Sequence, residues 1–289
     1  MMLNINGKTK QLALIGNPVG HSLSPMIHNF ISEQLGNNYV YTAFCVDNKD
    51  VKAALDGMRA LGICGFNVTA PHKQEVMKYL DWISEDSRLQ GSVNTIVNDN
   101  GVLKGYTTDA DGFYKSLVAS GIEVRDKRIL VLGAGGVAKP IAMRLIKEKP
   151  SSVTILNRTP QKACELAKEL YNQMGYEVLT SADVKAYDLV INTTSAGMGE
   201  LKNVLPTDSI SELSGLDFIN KNTAVADLIY KPRKTLFLQE CEKRGAKILN
   251  GLGMLIYQAV ISYELFTNTA VSDEIVAQIK EKIFGSADK

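Results

Sequence analysis

The chain has 289 residues, long for one domain and comfortable for two. Hydrophobic residues make up 45% and charged residues 22%, the balance of an ordinary folded protein rather than a disordered one. With 32 basic residues against 31 acidic ones the formal net charge is +1, which speaks against a general nucleic-acid or membrane-surface binder. No apolar run reaches the roughly 18 residues that a membrane-spanning helix needs. The opening MMLNINGKTKQLALIG lacks the apolar core and small-residue cleavage site of a signal peptide, so it is expected to lead directly into a first strand. Cys45, Cys64, Cys164 and Cys241 are scattered without a CxxC pair; Cys45, Cys64 and Cys164 fall in apolar periodic stretches, so buried, reduced thiols are expected, as in a cytoplasmic protein. The three histidines form no HxxxH or HExxH pattern, so no metal site is expected.

Taken in chain order, Leu12–Ile15 is a short buried strand closed by Gly16, Asn17 and Pro18. From Pro25 the apolar residues Met26, Ile27, Phe30, Ile31 and Leu35 follow helical spacing, and Gly36 supplies a stop. Tyr41–Val46 is the next expected strand and a helix follows near Lys49–Leu61. Gly65–Thr69 is a third strand, after which Pro71 is expected to open a helix with Lys73 in its first turn. Val93–Val97 and Val102–Tyr106 are expected to form a hairpin, with Asn100-Gly101 as its turn. A helix is expected near Gly112–Ser120, then a strand at Arg128–Leu132, a glycine turn and a helix to about Glu148. Strands at Val153–Leu156, Leu189–Asn192, Ala224–Asp227 and Lys247–Leu249, with a helix at Leu236–Arg244, continue the alternation. Such β-α alternation implies an α/β protein with a parallel sheet and helices on both faces. Apolar helices at Met254–Phe266 and Ser272–Phe284 end the chain.

The segment RILVLGAGGVAKP sets Gly133, Gly135 and Ala138 at G-x-G-x-x-A spacing, after a strand and at the opening of a helix. The first glycine permits the sharp turn, the second lets the backbone approach a pyrophosphate, and the small third residue packs helix on strand. A dinucleotide site is therefore expected here, although a glycine turn can also be purely structural. At the end of the next strand an NAD enzyme usually presents Asp or Glu to the ribose 2′-hydroxyl. This chain presents Asn157-Arg158-Thr159, with Lys162 nearby, a set suited to a 2′-phosphate; NADP is favoured over NAD.

Polar clusters stand at strand ends in the first hundred residues: HSLSP, NVTAPHK, GSVNTI and GYTTDADGF. Singly, each has an ordinary explanation. Ser22 or Ser24 would cap a helix, Lys73 would be a solvated surface lysine, Asn94 would satisfy a backbone group and Asp109 would cap a helix. Together with LGAGG, NRT, DLIYKP and NGLGMLIYQA they run in the order of the shikimate dehydrogenase family, which the chain resembles from Gly16 to the final helices.

That resemblance implies two α/β domains: a mixed-sheet substrate domain over 1–111, with 254–289 packing back onto it, and a Rossmann-type NADP domain over 112–253. It implies reduction of 3-dehydroshikimate to shikimate with NADPH, on the route to chorismate and the aromatic amino acids. Lys73 and Asp109 match the catalytic pair, and Ser22, Ser24, Thr69, Asn94, Tyr230 and Gln258 match groups that hold the substrate. Gly133, Ala134, Gly135, Gly136, Val137, Asn157, Arg158, Thr159, Pro160, Gln161, Lys162, Leu228 and Gly251 match cofactor contacts, with Glu85 expected toward the nicotinamide. Two departures from the family pattern stand out: Lys139-Pro140 just after the glycine turn, and TTDADG in place of NTDGxG. In ketone reduction an ammonium at Lys73 would stabilise the developing alkoxide and donate its proton, with Asp109 orienting it.

Two alternatives remain open at this level. One is the quinate/shikimate dehydrogenase branch, which accepts quinate and often prefers NAD. The other is a catalytically silent Rossmann module, which would be expected to lack the lysine or the aspartate. The expected partners are small molecules, with neither nucleic acid nor membrane; the sequence leaves a homodimer open.

Overall fold

In the computed structural model, which describes residues 5–182, 187–213 and 215–285, the chain divides into two units: Met1–Gly112 with Ile256–Lys289, and Phe113–Leu255. The first unit opens with β1 (Lys10–Gly16), α1 (Ser24–Leu35), β2 (Tyr39–Cys45), α2 (Val51–Ala60) and β3 (Gly65–Val68). It continues through β4 (Trp82–Ile83), α3 (Glu85–Gln90), β5 (Thr95–Asp99) and β6 (Val102–Tyr106). Among the described residues these strands form one mixed sheet in the order β2-β1-β3-β5-β6-β4. β1 pairs in parallel with β2 and β3, and β5 runs antiparallel to both β3 and β6. The β5–β6 connection carries Asn100 at φ 52° and Gly101 at φ 92°, the left-handed pair that the Asn-Gly signal demands. Ala13, Ile15, Leu55, Met58, Phe66, Ile96 and Leu103 meet in one buried cluster of this unit.

The division between units falls inside α4 (Asp109–Ala119) and α8 (Leu252–Thr267); α9 (Asp273–Gly285) belongs to the first unit. The second unit is built from β7 (Arg128–Leu132), α5 (Ala138–Ile146), β8 (Ser152–Leu156), α6 (Pro160–Met174), β9 (Leu189–Asn192), β10 (Ala224–Asp227), α7 (Leu236–Lys243) and β11 (Lys247–Leu249). Its sheet runs β11-β10-β9-β7-β8 with every pair parallel. The order reverses between β8-β7 and β9, and in such sheets ligands bind beyond the carboxyl ends of the strands at that switch point. Leu130, Leu132, Val190, Val225, Phe237 and Leu238 form its core on one side.

Four local readings are corrected. Cys45 and Cys164 are exposed and Cys64 is half-buried, so of the four cysteines only Cys241 is buried. Pro71 opens no α-helix: residues 71–74 form turns and a short 3₁₀ segment follows at Glu75–Tyr79, so Lys73 sits in a loop. α4 begins at Asp109 rather than near Gly112, so Asp109 is its first residue. α6 was not read from the sequence, although Pro160 at its first turn, apolar Ala163, Leu166, Ala167 and Leu170, and the left-handed Gly175 beyond its end all mark it. Among the described residues no helix is long and apolar enough to cross a membrane.

Candidate active site

The first site grows from strand ends of the mixed sheet. The loop after β3 is pinned from both sides. The buried His72 ring donates through Nε2 to the Val46 carbonyl at 2.7 Å, and the Val93 N–H donates to the Lys73 carbonyl at 2.9 Å. This backbone presents the Lys73 ammonium to Asp109, where Nζ donates to Oδ2 at 2.6 Å. The two side chains retain 34% and 23% of their surface, so the pair is held by protein yet reachable by a ligand. Surface lysines are usually solvated and unconstrained; this one is fixed by a carboxylate whose second oxygen is also engaged. Asn94, 3% exposed, donates through Nδ2 to Asp109 Oδ1 at 3.0 Å. Its Oδ1 meanwhile accepts the Thr108 backbone N–H at 2.9 Å, so Asn94 does satisfy a backbone group while orienting the aspartate.

The other first-unit candidates stand nearby to different degrees. Gln258 lies on α8, and its carbonyl accepts the Thr108 hydroxyl at 3.1 Å, which ties it to the residue before Asp109. Half-buried Thr69, four residues before Lys73, receives a bond at its carbonyl from the His72 N–H at 3.0 Å. Ser24 is the first residue of α1, and its N–H donates to the Ser22 hydroxyl at 3.2 Å. The helix cap itself is Leu23 without a side-chain bond, so the capping explanation holds for neither serine in its usual form. Glu85 is exposed in the first turn of α3, in this unit rather than the one carrying the glycine turn.

A buried layer that sequence reading did not find lies beneath the pair. Asn67, Thr95, Thr108 and Ser262, each 5% exposed or less, hydrogen-bond one another, and Tyr41 donates to Asn67 Oδ1 at 2.9 Å. His28 stacks on Tyr41 with ring centroids 4.1 Å apart. Burial pushes the His28 imidazole down to about 3, so it is neutral at physiological pH. Polar residues inside strands carry little periodic signal, and only their shared depth reveals the cluster.

The second site is a cleft of about 370 Å³ beyond the ends of β7, β8 and β9, of a size suited to a small-molecule cofactor. It gathers Gly133, Ala134, Gly135, Asn157, Arg158, Thr159 and Lys162 from the expected set. It adds Thr193, Thr194, Ser195 and Ala196 after β9, with Leu201, Val204, Pro206, Ser209 and Ile210 as a further wall. The small polar run after β9 was legible once that strand was placed, because ligands sit at strand ends. Gly133 adopts φ 107°, and a Cβ there would press on Thr193 Oγ1 at 2.7 Å; at Gly135 a Cβ would meet no protein atom within 4 Å. The first glycine therefore serves the turn, and the second borders open space. Asn157 closes the loop by accepting the Ala134 N–H at 3.1 Å. Among the described residues no carboxylate lines this cleft, whereas Arg158 and Lys162 do.

Gly136, Val137, Pro160 and Gln161 flank these residues in the chain without lining the cleft. Leu228 and Gly251 meet each other, since a Cβ at Gly251 would collide with the Leu228 carbonyl. Tyr230, half-buried, follows on the same loop. That loop is braced by Asp227, which accepts from Ile229 N–H, Asn192 Nδ2 and Thr235 Oγ1, and whose burial raises its carboxyl pKa. The departure at Lys139-Pro140 is accommodated. Pro140 falls in the first turn of α5, where helix N–H groups have no intrahelical partner, and Lys139 turns to Glu169 at 2.7 Å.

A parallel sheet with a ligand cleft on its glycine turn, in one chain with a half-buried lysine–carboxylate pair, defines the class of dinucleotide-dependent oxidoreductases. Family models for the shikimate dehydrogenase substrate binding domain, for shikimate / quinate 5-dehydrogenase and for the shikimate 5′-dehydrogenase C-terminal domain match residues 14–96, 116–213 and 251–279. The shikimate dehydrogenase (NADP⁺) of Methanocaldococcus jannaschii is 42% identical over 94% of this chain and 96% of its own length. A shikimate dehydrogenase crystallised with NADP⁺ superposes with a TM-score of 0.85 at 42% identity, covering 94% of each chain. A shikimate 5-dehydrogenase of Listeria monocytogenes in complex with shikimate and NAD gives 0.87 at 31% identity, over 96% of this chain and 99% of the other. The chain belongs to the shikimate dehydrogenase family.

Proposed function

We propose that this chain catalyses the reversible reduction of 3-dehydroshikimate to shikimate with NADPH, a step toward chorismate and the aromatic amino acids. The observation that carries the reading is the Lys73–Asp109 pair, 2.6 Å apart and open to a ligand. Reduction places negative charge on the ketone oxygen, and a fixed ammonium stabilises that charge and supplies the proton. In the oxidative direction neutral Lys73 takes the proton of the hydroxyl. Asp109 orients the lysine and accepts a substrate hydroxyl. Ser22, Ser24, Thr69, Asn94, Tyr230 and Gln258 are the groups we assign to holding the carboxylate and hydroxyls of the substrate. The first unit is thus the substrate and catalytic domain, and the second is the cofactor domain.

When bound, NADPH supplies the hydride. The residues present fit it: the open space at Gly135 admits a pyrophosphate, and Arg158, Thr159 and Lys162 offer charge and a hydroxyl to a 2′-phosphate. Gly133 to Val137, Asn157 to Lys162, Leu228 and Gly251 are assigned to the cofactor, with Glu85 toward the nicotinamide. The free thiols fit a cytoplasmic location.

Purified protein given shikimate and NADP⁺ is expected to produce NADPH, followed by its absorbance, at a higher kcat/KM than with quinate or with NAD⁺. A higher value for quinate with NAD⁺ would move the chain to the quinate-using branch. No hydride transfer with either substrate would overturn the reading.

A further inference from the structure

Asn94 can orient Asp109 only if its own amide is held one way round, and the buried layer beneath it supplies that hold. The Thr108 N–H can only donate, so the atom facing it at 2.9 Å must be the Asn94 oxygen; Nδ2 therefore faces Asp109. The same oxygen lies 2.9 Å from Thr95 Oγ1, which donates to it. With the Thr95 proton used there, only Ser262 can donate in the 2.8 Å contact between the two hydroxyls; the Gln258 carbonyl also lies 2.8 Å from Ser262, so the one Ser262 proton is shared between these two acceptors. Asn67 Nδ2 donates to the Asn94 carbonyl at 3.1 Å, which sets its own orientation, and also reaches Ser262 at 3.0 Å. The result is a directed chain: Ser262 hydroxyl to Thr95 hydroxyl to Asn94 oxygen, then Asn94 amide to Asp109 Oδ1, leaving Oδ2 for Lys73. Thr95 and Ser262 are both fully buried, so no water competes for these bonds. In such a chain each donated bond polarises the next group and strengthens its own donation.

We propose that Thr95 and Ser262 are positioning residues for the reaction: through Asn94 they set the Asp109 carboxylate, and through it the Lys73 ammonium. The inference rests on the assignment of Lys73 and Asp109 as the catalytic pair. Thr95 touches neither of them, and nor does Ser262; both act through the one amide.

The test compares Thr95→Val, which keeps the shape and removes the hydroxyl, with Thr95→Ser, which keeps the hydroxyl, and with Ser262→Ala. Steady-state oxidation of shikimate by NADP⁺ is measured beside thermal unfolding and NADP⁺ binding. Thr95→Val and Ser262→Ala are each expected to lower kcat roughly three- to tenfold, the worth of one hydrogen bond, with KM for shikimate within about twofold. Thr95→Ser is expected to restore most of kcat even if it unfolds at a lower temperature than wild type. The double variant Thr95→Val/Ser262→Ala is expected to lose little beyond the worse single one, because both interrupt one chain. Wild-type kcat in both hydroxyl-deleted variants would overturn the proposal, as would a loss in Thr95→Ser equal to that in Thr95→Val. A wild-type protein inactive on shikimate would instead overturn the functional reading itself, so the two failures are separable.

Discussion

Lys73 and Asp109 meet through one oxygen of the carboxylate, at 2.6 Å, while the other oxygen takes the Asn94 amide at 3.0 Å. A carboxylate engaged at both oxygens does not rotate, so it aims the ammonium instead of following it. Removing the ammonium with Lys73→Ala is therefore expected to lower kcat by roughly 10²- to 10⁴-fold, the range of a general acid–base group. KM for shikimate should change much less, and NADP⁺ binding measured by fluorescence titration should be unaltered. Turnover close to wild type would remove Lys73 from the chemistry.

The two leading glycines of the turn are expected to answer differently to the same substitution. At Gly133 an added Cβ meets Thr193 and Thr194 within 2.9 Å at φ 107°, so Gly133→Ala should lower the unfolding temperature. At Gly135 nothing of the protein lies within 4 Å, so Gly135→Ala should unfold at or above the wild-type temperature. Its methyl would occupy the space left for a pyrophosphate, and the Kd for NADP⁺ should rise about tenfold or more, roughly 1.4 kcal/mol. If Gly135→Ala binds NADP⁺ as tightly as wild type, the cofactor does not approach the backbone there.

Arg158 lines the cleft beside Asn157 and Thr159, and among the described residues no carboxylate lines it. Arg158→Ala is expected to raise KM for NADPH by about tenfold or more while leaving KM for NADH within about twofold, since only the former carries the 2′-phosphate. Equal weakening of both cofactors would assign Arg158 to the pyrophosphate or to structure, and with it the preference for NADP would lose its residue.

How much of this was legible in the sequence differs between the two sites. The second unit was readable strand by strand. Leu189–Asn192 and Ala224–Asp227 have the predicted bounds, because buried parallel strands are short unbroken apolar runs, and the less buried edge strand Lys247–Leu249 has them too. The glycine turn was equally plain, since its spacing is set by backbone geometry within a few residues. α6 escaped because its face is carried by Ala163, Leu166, Ala167 and Leu170 among long charged side chains, which dilute an apolar stripe half built from alanines. Lys73 and Asp109 could be named from the resemblance, but their pairing joins residues 36 apart in sequence. Nothing local announces that a loop and the start of a helix converge. Thr95 and Thr108 stand inside the clusters GSVNTI and GYTTDADGF without being marked out from their neighbours, and Ser262, a serine in an apolar helix, left no trace; each looks like an ordinary member of its segment until its depth is known.

His28 gives the fold a pH dependence of its own. Burial against Tyr41, Tyr263 and Phe266 pushes the imidazole from 6.5 to about 3, so the folded state keeps it neutral while the unfolded chain protonates it below about 6.5. Between those values the unfolded state binds the extra proton, and stability falls as pH falls, at about 1.4 kcal/mol per pH unit. From pH 7 to pH 5 this one residue is expected to cost the wild type about 2 kcal/mol, with the full contribution present above about 6.5. His28→Phe keeps an aromatic ring to stack on Tyr41 and has nothing to protonate. Urea unfolding of both proteins at pH 7 and pH 5 isolates the residue, since every other group titrates alike in the two. The variant is expected to lose about 2 kcal/mol less than wild type between those pH values. Equal losses would mean that the folded protein admits the imidazolium at little cost, and the buried stack beneath the site would not be the dry layer its packing describes.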